Sequence, residues 1–88
     1  MSERDWRVVL LRDARRYLER MPPAEQIRLL DALAELERDP FAAPAKSLQG
    51  RPELSLRVGG FRILFRVERE AHRLVITRIG PRGDVYKR

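Results

Sequence analysis

Apolar and polar side chains alternate most clearly in the second half of the chain. Residues 53–58 and 61–68 both show the period of two that is expected of half-buried strands. Gly59 and Gly60 stand between them, and this pair predicts a hairpin, because a type I′ turn needs positive φ at both central positions. Residues 72–79 are apolar on both sides, which predicts a further, central strand.

The predicted hairpin fixes which side chains face one another. Its apolar residues share one face, whereas Arg57 is predicted opposite Arg62, and Glu53 opposite Arg66, on the other face. Two arginines directly opposite one another repel, and folding alone does not explain such a pair. The pair therefore predicts a site for an anionic ligand, unless the two side chains simply turn apart into water.

The first half of the chain predicts one strand and two helices. Residues 6–11 are rich in β-branched and aromatic side chains, as strands are. Residues 12–20 and 24–38 carry apolar residues at helical spacing, and two prolines separate them, so we expect an antiparallel helical hairpin. The apolar stripe expected on the second helix consists of Ile27, Leu30, Leu33, Ala34 and Leu36.

The order of these elements is β-α-α-β-β-β, with residues 40–52 as a connecting loop. Neither half has a core of its own, so we expect an α+β fold in a single domain spanning residues 1–88.

Charge is distributed unevenly along the chain. Residues 1–45 carry eight basic and nine acidic side chains, whereas residues 46–88 carry eleven basic and four acidic ones. An excess confined to one half indicates a basic face that suits an anionic partner, although a solvated strand surface would give the same balance.

The composition restricts the available chemistry. The chain has no cysteine and one histidine, His72, so thiolate metal sites are excluded and a zinc or copper centre is not expected. No long apolar segment follows the charged N-terminus, so we expect a cytoplasmic protein with no membrane segment.

A candidate proton-transfer group follows the last predicted strand. Arg82 and Tyr86 lie in a segment that a loop would present, and neighbouring positive charge lowers the pKa of a tyrosine hydroxyl. Tyr86 could equally be a packing residue with an exposed hydroxyl.

The motifs taken together resemble those of the RelE/ParE toxin superfamily. The segments "DPFA", "LQG", "RVGGFRILF" and "IGPRGDVY" carry the resemblance, which covers nearly the whole chain. It implies a small antiparallel sheet of about four strands packed on an N-terminal two-helix hairpin. It also implies the toxin of a toxin–antitoxin pair.

The resemblance also implies functional residues. RelE-like members of the superfamily cut mRNA in the ribosomal A site without a metal, and their catalytic arginines and C-terminal tyrosine match Arg62, Arg82 and Tyr86 here. No cofactor is implied. The basic residues expected to position the RNA backbone are Arg57, Arg66, Lys46, Arg78 and Lys87.

Three positions differ from many of these relatives. Some ribonuclease members carry lysines at the positions of Glu53 and Ser55, and many have histidine at the position of Pro81. Two other functions therefore stay open, namely a ParE-like toxin that poisons gyrase without cutting RNA, and a module that only binds its antitoxin. The partners expected on the first hypothesis are an acidic antitoxin, the ribosome and mRNA.

Overall fold

The computed structural model describes residues 6–48 and 50–81 and contains two helices and five strands in this range. The elements are β1 (Arg7–Leu10), α1 (Arg12–Glu19), α2 (Pro23–Arg38), β2 (Lys46–Ser47), β3 (Leu54–Val58), β4 (Phe61–Glu68) and β5 (Arg73–Pro81). The predicted α+β class is confirmed. The segment predicted as a plain connecting loop contains β2, which is too short for alternation to reveal it.

The strands form one mixed sheet in the order β1-β5-β4-β3-β2. Neighbouring strands are antiparallel except β1 and β5, which pair in parallel. The expectation of about four antiparallel strands is therefore corrected to five strands with one parallel pair. The apolar strand β1 lies at the edge beside β5, and β5 is central, as its apolar residues on both sides predict.

The register predicted for the hairpin is confirmed. Arg57 pairs with Arg62 and Leu56 with Ile63 across β3 and β4. In the turn, Gly59 has a positive φ of 60°, whereas Gly60 does not. This is the pattern of a type II′ turn, so the predicted type I′ turn was wrong.

The two helices cover one face of the sheet. The core beneath them includes Leu56, Ile63 and Phe65 from the hairpin. The buried residues of α2 are Leu29, Leu33 and Leu36, whereas Ile27 is 59% exposed and Leu30 47% exposed. The predicted stripe was therefore wrong at Ile27, Leu30 and Ala34, because α2 carries apolar residues on two sides and either side satisfies helical spacing.

The face of the sheet opposite the helices carries polar side chains at both ends. The predicted contact between Glu53 and Arg66 is replaced by others: the hydroxyl of Thr77 donates to Oε2 of Glu53 at 3.1 Å, and Arg66 pairs with Glu68. The pairs Leu64–Arg78 and Phe65–Ile76 enclose a bulge in which Thr77 is the extra residue of β5.

The helices of the described residues are too short and too polar to cross a membrane.

We predict that Gly59→Ala destabilises the fold and that Gly60→Ala does not. An L-residue at the positive φ of position 59 costs about 1–2 kcal/mol, and its Cβ would lie 2.6 Å from Nη1 of Arg28. At position 60 a Cβ meets no atom within 4 Å. Thermal and urea unfolding of the two variants measures the difference, and equal stability would show that the turn tolerates side chains at both positions.

Candidate functional site

A basic cleft opens on the sheet face opposite the helices, near the tip of the hairpin. It has a volume of about 340 Å³ and is lined by Pro44, Lys46, Ser55, Arg57 and Arg62. Three of these five residues are cations and none is acidic. The charge predicted from the register therefore gathers in a concave site that can surround an anion.

Arg62 is the best-fixed cation of the basic cleft. Its side chain is half-buried, and its Nη1 donates a hydrogen bond of 3.1 Å to Oγ of Ser55, which is 2% exposed. An arginine held in this way loses little conformational freedom when it binds a ligand, so more of the interaction energy remains for binding.

Ser55 is the residue of the site that sequence analysis did not identify. It pairs with Leu64, while Arg62 pairs with Arg57, so Ser55 and Arg62 are diagonal neighbours on one face. The predicted register already placed Ser55 close enough for a hydrogen bond from Arg62, because diagonal neighbours lie within reach of a long side chain.

Lys46 reaches the basic cleft because β2 pairs with β3. Its partner in the register is Ser55, which places a lysine directly beside that position from the neighbouring strand. Arg57 pairs directly with Arg62 across β3 and β4. The structure thus brings together Lys46, Arg57 and Arg62 of the residues predicted to contact RNA phosphates.

Arg66 and Arg78 lie outside the basic cleft. Arg66 is four residues further along β4, or about 13 Å at strand spacing, and its Nη2 lies 3.4 Å from Oε2 of Glu68. Arg78 lies on β5 beside α1. Arg82, Tyr86 and Lys87 lie outside the described residues, so their roles stay predictions.

Glu68 forms ion pairs with two arginines at the end of the sheet that lies away from the basic cleft. Its Oε1 lies 2.7 Å from Nη2 of Arg73, and Oε2 contacts Arg66. The hydrogen bond and the positive charge of Arg73, and after them the contacts with Arg66, hold the pKa of the Glu68 carboxyl below its ordinary value of 4.5. This carboxylate therefore neutralises charge away from the basic cleft.

Within the described ranges, no group of three or more His, Cys, Asp or Glu side chains is arranged to hold a metal ion.

The chain is similar to known toxins over most of its length. The model of a family described as "ParE toxin of type II toxin-antitoxin system, parDE" matches residues 10–86. The chain is 36% identical over 80 residues to Toxin RelG of Mycobacterium tuberculosis, a match that covers 85% of this chain and 88% of that protein.

Solved structures of toxins share the fold. The toxin–antitoxin complex RelBE2 of M. tuberculosis contains a chain that is 30% identical, with a TM-score of 0.78, over 89% of this chain and 99% of that one. The isolated E. coli RelE toxin is 20% identical with a TM-score of 0.77, over 92% of this chain and 90% of that one, and supports the fold alone.

We predict that Glu68→Gln lowers stability at neutral pH and removes part of its acid dependence. The folded-state pKa of Glu68 is lowered, so its ion pairs stabilise the fold above its ordinary pKa, and this contribution is lost as pH falls through the folded-state value. Unfolding curves of both proteins from neutral pH down to about pH 3 should converge at the acidic end. Parallel curves with a constant gap would show that the carboxylate charge does not contribute.

Proposed function

Because this chain belongs to the RelE/ParE superfamily and is a toxin of a type II toxin–antitoxin system, we propose that it stops translation by cutting mRNA on the ribosome. The reaction proposed is metal-independent cleavage through attack by the 2′-hydroxyl of the RNA on the adjacent phosphate. The observation that supports it is the basic cleft, in which Ser55 holds Arg62 among two further cations.

Arg62 binds the scissile phosphate in this proposal. A guanidinium donates two parallel hydrogen bonds to phosphate oxygens, and negative charge on those oxygens grows as the fifth oxygen bonds to phosphorus. A donor that is already oriented stabilises this charge without reorganisation during the reaction. The hydrogen bond from Arg62 to Ser55 supplies that orientation.

Proton transfer is assigned to Tyr86 through the resemblance. The bond from the 2′ oxygen to phosphorus forms as the bond from phosphorus to the 5′ oxygen breaks, which leaves a cyclic phosphate and a 5′-hydroxyl. Tyr86, as the phenolate, accepts the 2′ proton as a general base, and Arg82 stabilises the leaving 5′ oxygen, which takes its proton from solvent water.

Lys46 compensates for a departure from the relatives. Where some ribonuclease members carry a lysine, this chain has Ser55, and Lys46 of β2 stands opposite it in the register. The positive charge therefore comes from the adjacent strand, and the serine is left to orient Arg62. Arg57 and Lys46 hold the RNA backbone on either side without reading its sequence.

The proposed partners are an antitoxin, the ribosome and its mRNA, in the cytoplasm. The RelBE2 structure, whose toxin-like chain is 30% identical to this one, is a toxin–antitoxin complex. An antitoxin segment with acidic side chains would neutralise the basic cleft, and apolar side chains on that segment would bury exposed residues of α2 such as Ile27 and Leu30.

A ParE-like function is the second candidate, because the family model that matches residues 10–86 is that of ParE. A toxin that acts by binding gyrase needs no proton transfer. In that case Tyr86→Phe would leave growth arrest unchanged, and purified toxin would inhibit DNA supercoiling.

We predict that Arg62→Gln lowers mRNA cleavage by about a hundredfold, as loss of one oriented donor to a developing oxyanion does. Arg62→Lys keeps the charge but not the paired hydrogen bonds, so it should recover only part of the activity. Primer extension on mRNA in a reconstituted translation reaction measures the cuts, and Arg51→Gln, an exposed arginine outside the basic cleft, is the matched control. Full cleavage by Arg62→Gln would exclude Arg62 as the phosphate ligand.

Ser55→Ala should lower cleavage by about tenfold to a hundredfold, because a hydrogen bond to a charged group contributes roughly 1.5–3 kcal/mol and about 1.4 kcal/mol is tenfold in rate. Ser55→Thr keeps the hydroxyl and should retain more activity than the alanine variant. The same primer-extension assay, with unfolding curves to confirm the fold, separates these outcomes. Equal activity of the two variants would show that Ser55 does not orient Arg62.

A further inference from the structure

A second basic concavity lies where β5 extends past β1. The parallel pairing ends at Ile76, where the backbone N–H of Leu11 donates to the Ile76 carbonyl at 3.1 Å, and the chain then turns into α1. The rest of β5 therefore stands beside a helix instead of a strand. The α1 concavity formed there has a volume of about 370 Å³ and is lined by Asp13, Arg16, Tyr17, Arg20, Arg78 and Ile79.

Positive charge in the α1 concavity exceeds negative charge by two. Arg16, Arg20 and Arg78 face one carboxylate, that of Asp13. The ion pairs of the described residues join Arg38 to Glu35 and Arg66 and Arg73 to Glu68, and involve none of these three arginines.

The spacing of the three arginines opposes folding. Arg16 and Arg20 are four residues apart along the helix, where like charges repel. The negative end of the helix dipole offsets part of that repulsion but adds no carboxylate. Arg78 adds a third cation from a different element, so an anion in the α1 concavity would stabilise all three.

We propose that the α1 concavity binds sugar-phosphate backbone of RNA at a position distinct from the scissile phosphate. This inference rests on the proposed function, in which an RNA occupies the basic cleft. Arg62 and Arg78 are diagonal neighbours across β4 and β5, because Arg62 pairs with Gly80 and Leu64 with Arg78. Backbones of diagonal neighbours are about 7–8 Å apart, so one structured RNA can reach both sites.

The lining of the α1 concavity favours RNA over an acidic protein segment. A docked peptide helix or strand is anchored by apolar side chains, which need exposed apolar surface to receive them. The apolar side chain that lines this concavity, Ile79, is buried, and the ring of Tyr17 is half-buried edge-on to Phe61 with centroids 6.3 Å apart. Guanidinium groups without lysines suit bidentate binding of phosphate oxygens.

The test compares two variants with the same loss of charge. One replaces Arg16, Arg20 and Arg78 with Gln, and the other replaces Arg7, Arg15 and Arg51, which are exposed and lie outside both basic sites. Binding of a short fluorescently labelled RNA hairpin is measured across a salt series, and unfolding curves confirm that both variants fold. A poly-glutamate peptide is titrated in parallel.

We expect the concavity variant to lose about tenfold or more in RNA affinity and to reduce the salt slope by about 2–3, close to 0.9 for each phosphate contact removed. The control variant should lose less than about threefold. If both variants lose affinity equally, the proposal is overturned and only net charge matters. If the peptide discriminates between the variants and RNA does not, the concavity binds acidic protein, which also overturns it.

Failure of this proposal differs from failure of the proposed function. RNA cleavage is not the readout, so a toxin that cuts no mRNA but loses hairpin binding in the concavity variant still has the second RNA site. Conversely, normal cleavage together with equal binding by both variants leaves the proposed function intact and excludes the second site.

Discussion

The pairing of β3 with β4 sets both the core and the basic cleft. One register places Leu56 opposite Ile63 beneath the helices and Arg57 opposite Arg62 on the opposite face of the sheet. A shift by one residue would bring arginines into the core and the apolar residues into water, so burial of the hairpin enforces the arginine pair. The apolar burial that stabilises the hairpin therefore holds Arg57 and Arg62 side by side despite their repulsion.

The placement of carboxylates keeps the two basic sites charged. Glu68 joins Arg66 and Arg73 at the opposite end of the sheet, and Glu35 pairs with Arg38 on α2. These acidic residues are therefore engaged with cations that lie outside the basic cleft and the α1 concavity. The basic cleft therefore keeps three cations with no carboxylate among its lining residues, and the α1 concavity keeps three arginines against one carboxylate.

Features that depend on neighbouring residues could be predicted from the sequence, whereas contacts between segments distant in the chain could not. Alternation in residues 53–68 was enough to give the β3–β4 register, because a two-residue turn leaves one consistent pairing. The parallel pairing of β1 with β5 depends on how the chain returns after α1 and α2, which no local pattern records. Likewise α2 has two apolar sides, and only packing decides that Leu29 is buried and Ile27 exposed.

The missed strand β2 changes how the departure at Ser55 is understood. From the sequence, a serine where some relatives carry lysine removes a cation from the strand before the hairpin. In the folded chain, Lys46 stands beside Ser55 across β2 and β3, and Ser55 accepts a hydrogen bond from Arg62. A short strand in a proline-rich segment thus places a cation beside this position from a neighbouring element, and the serine hydroxyl holds Arg62. The charge of such a site is therefore a property of the whole face and cannot be assessed strand by strand.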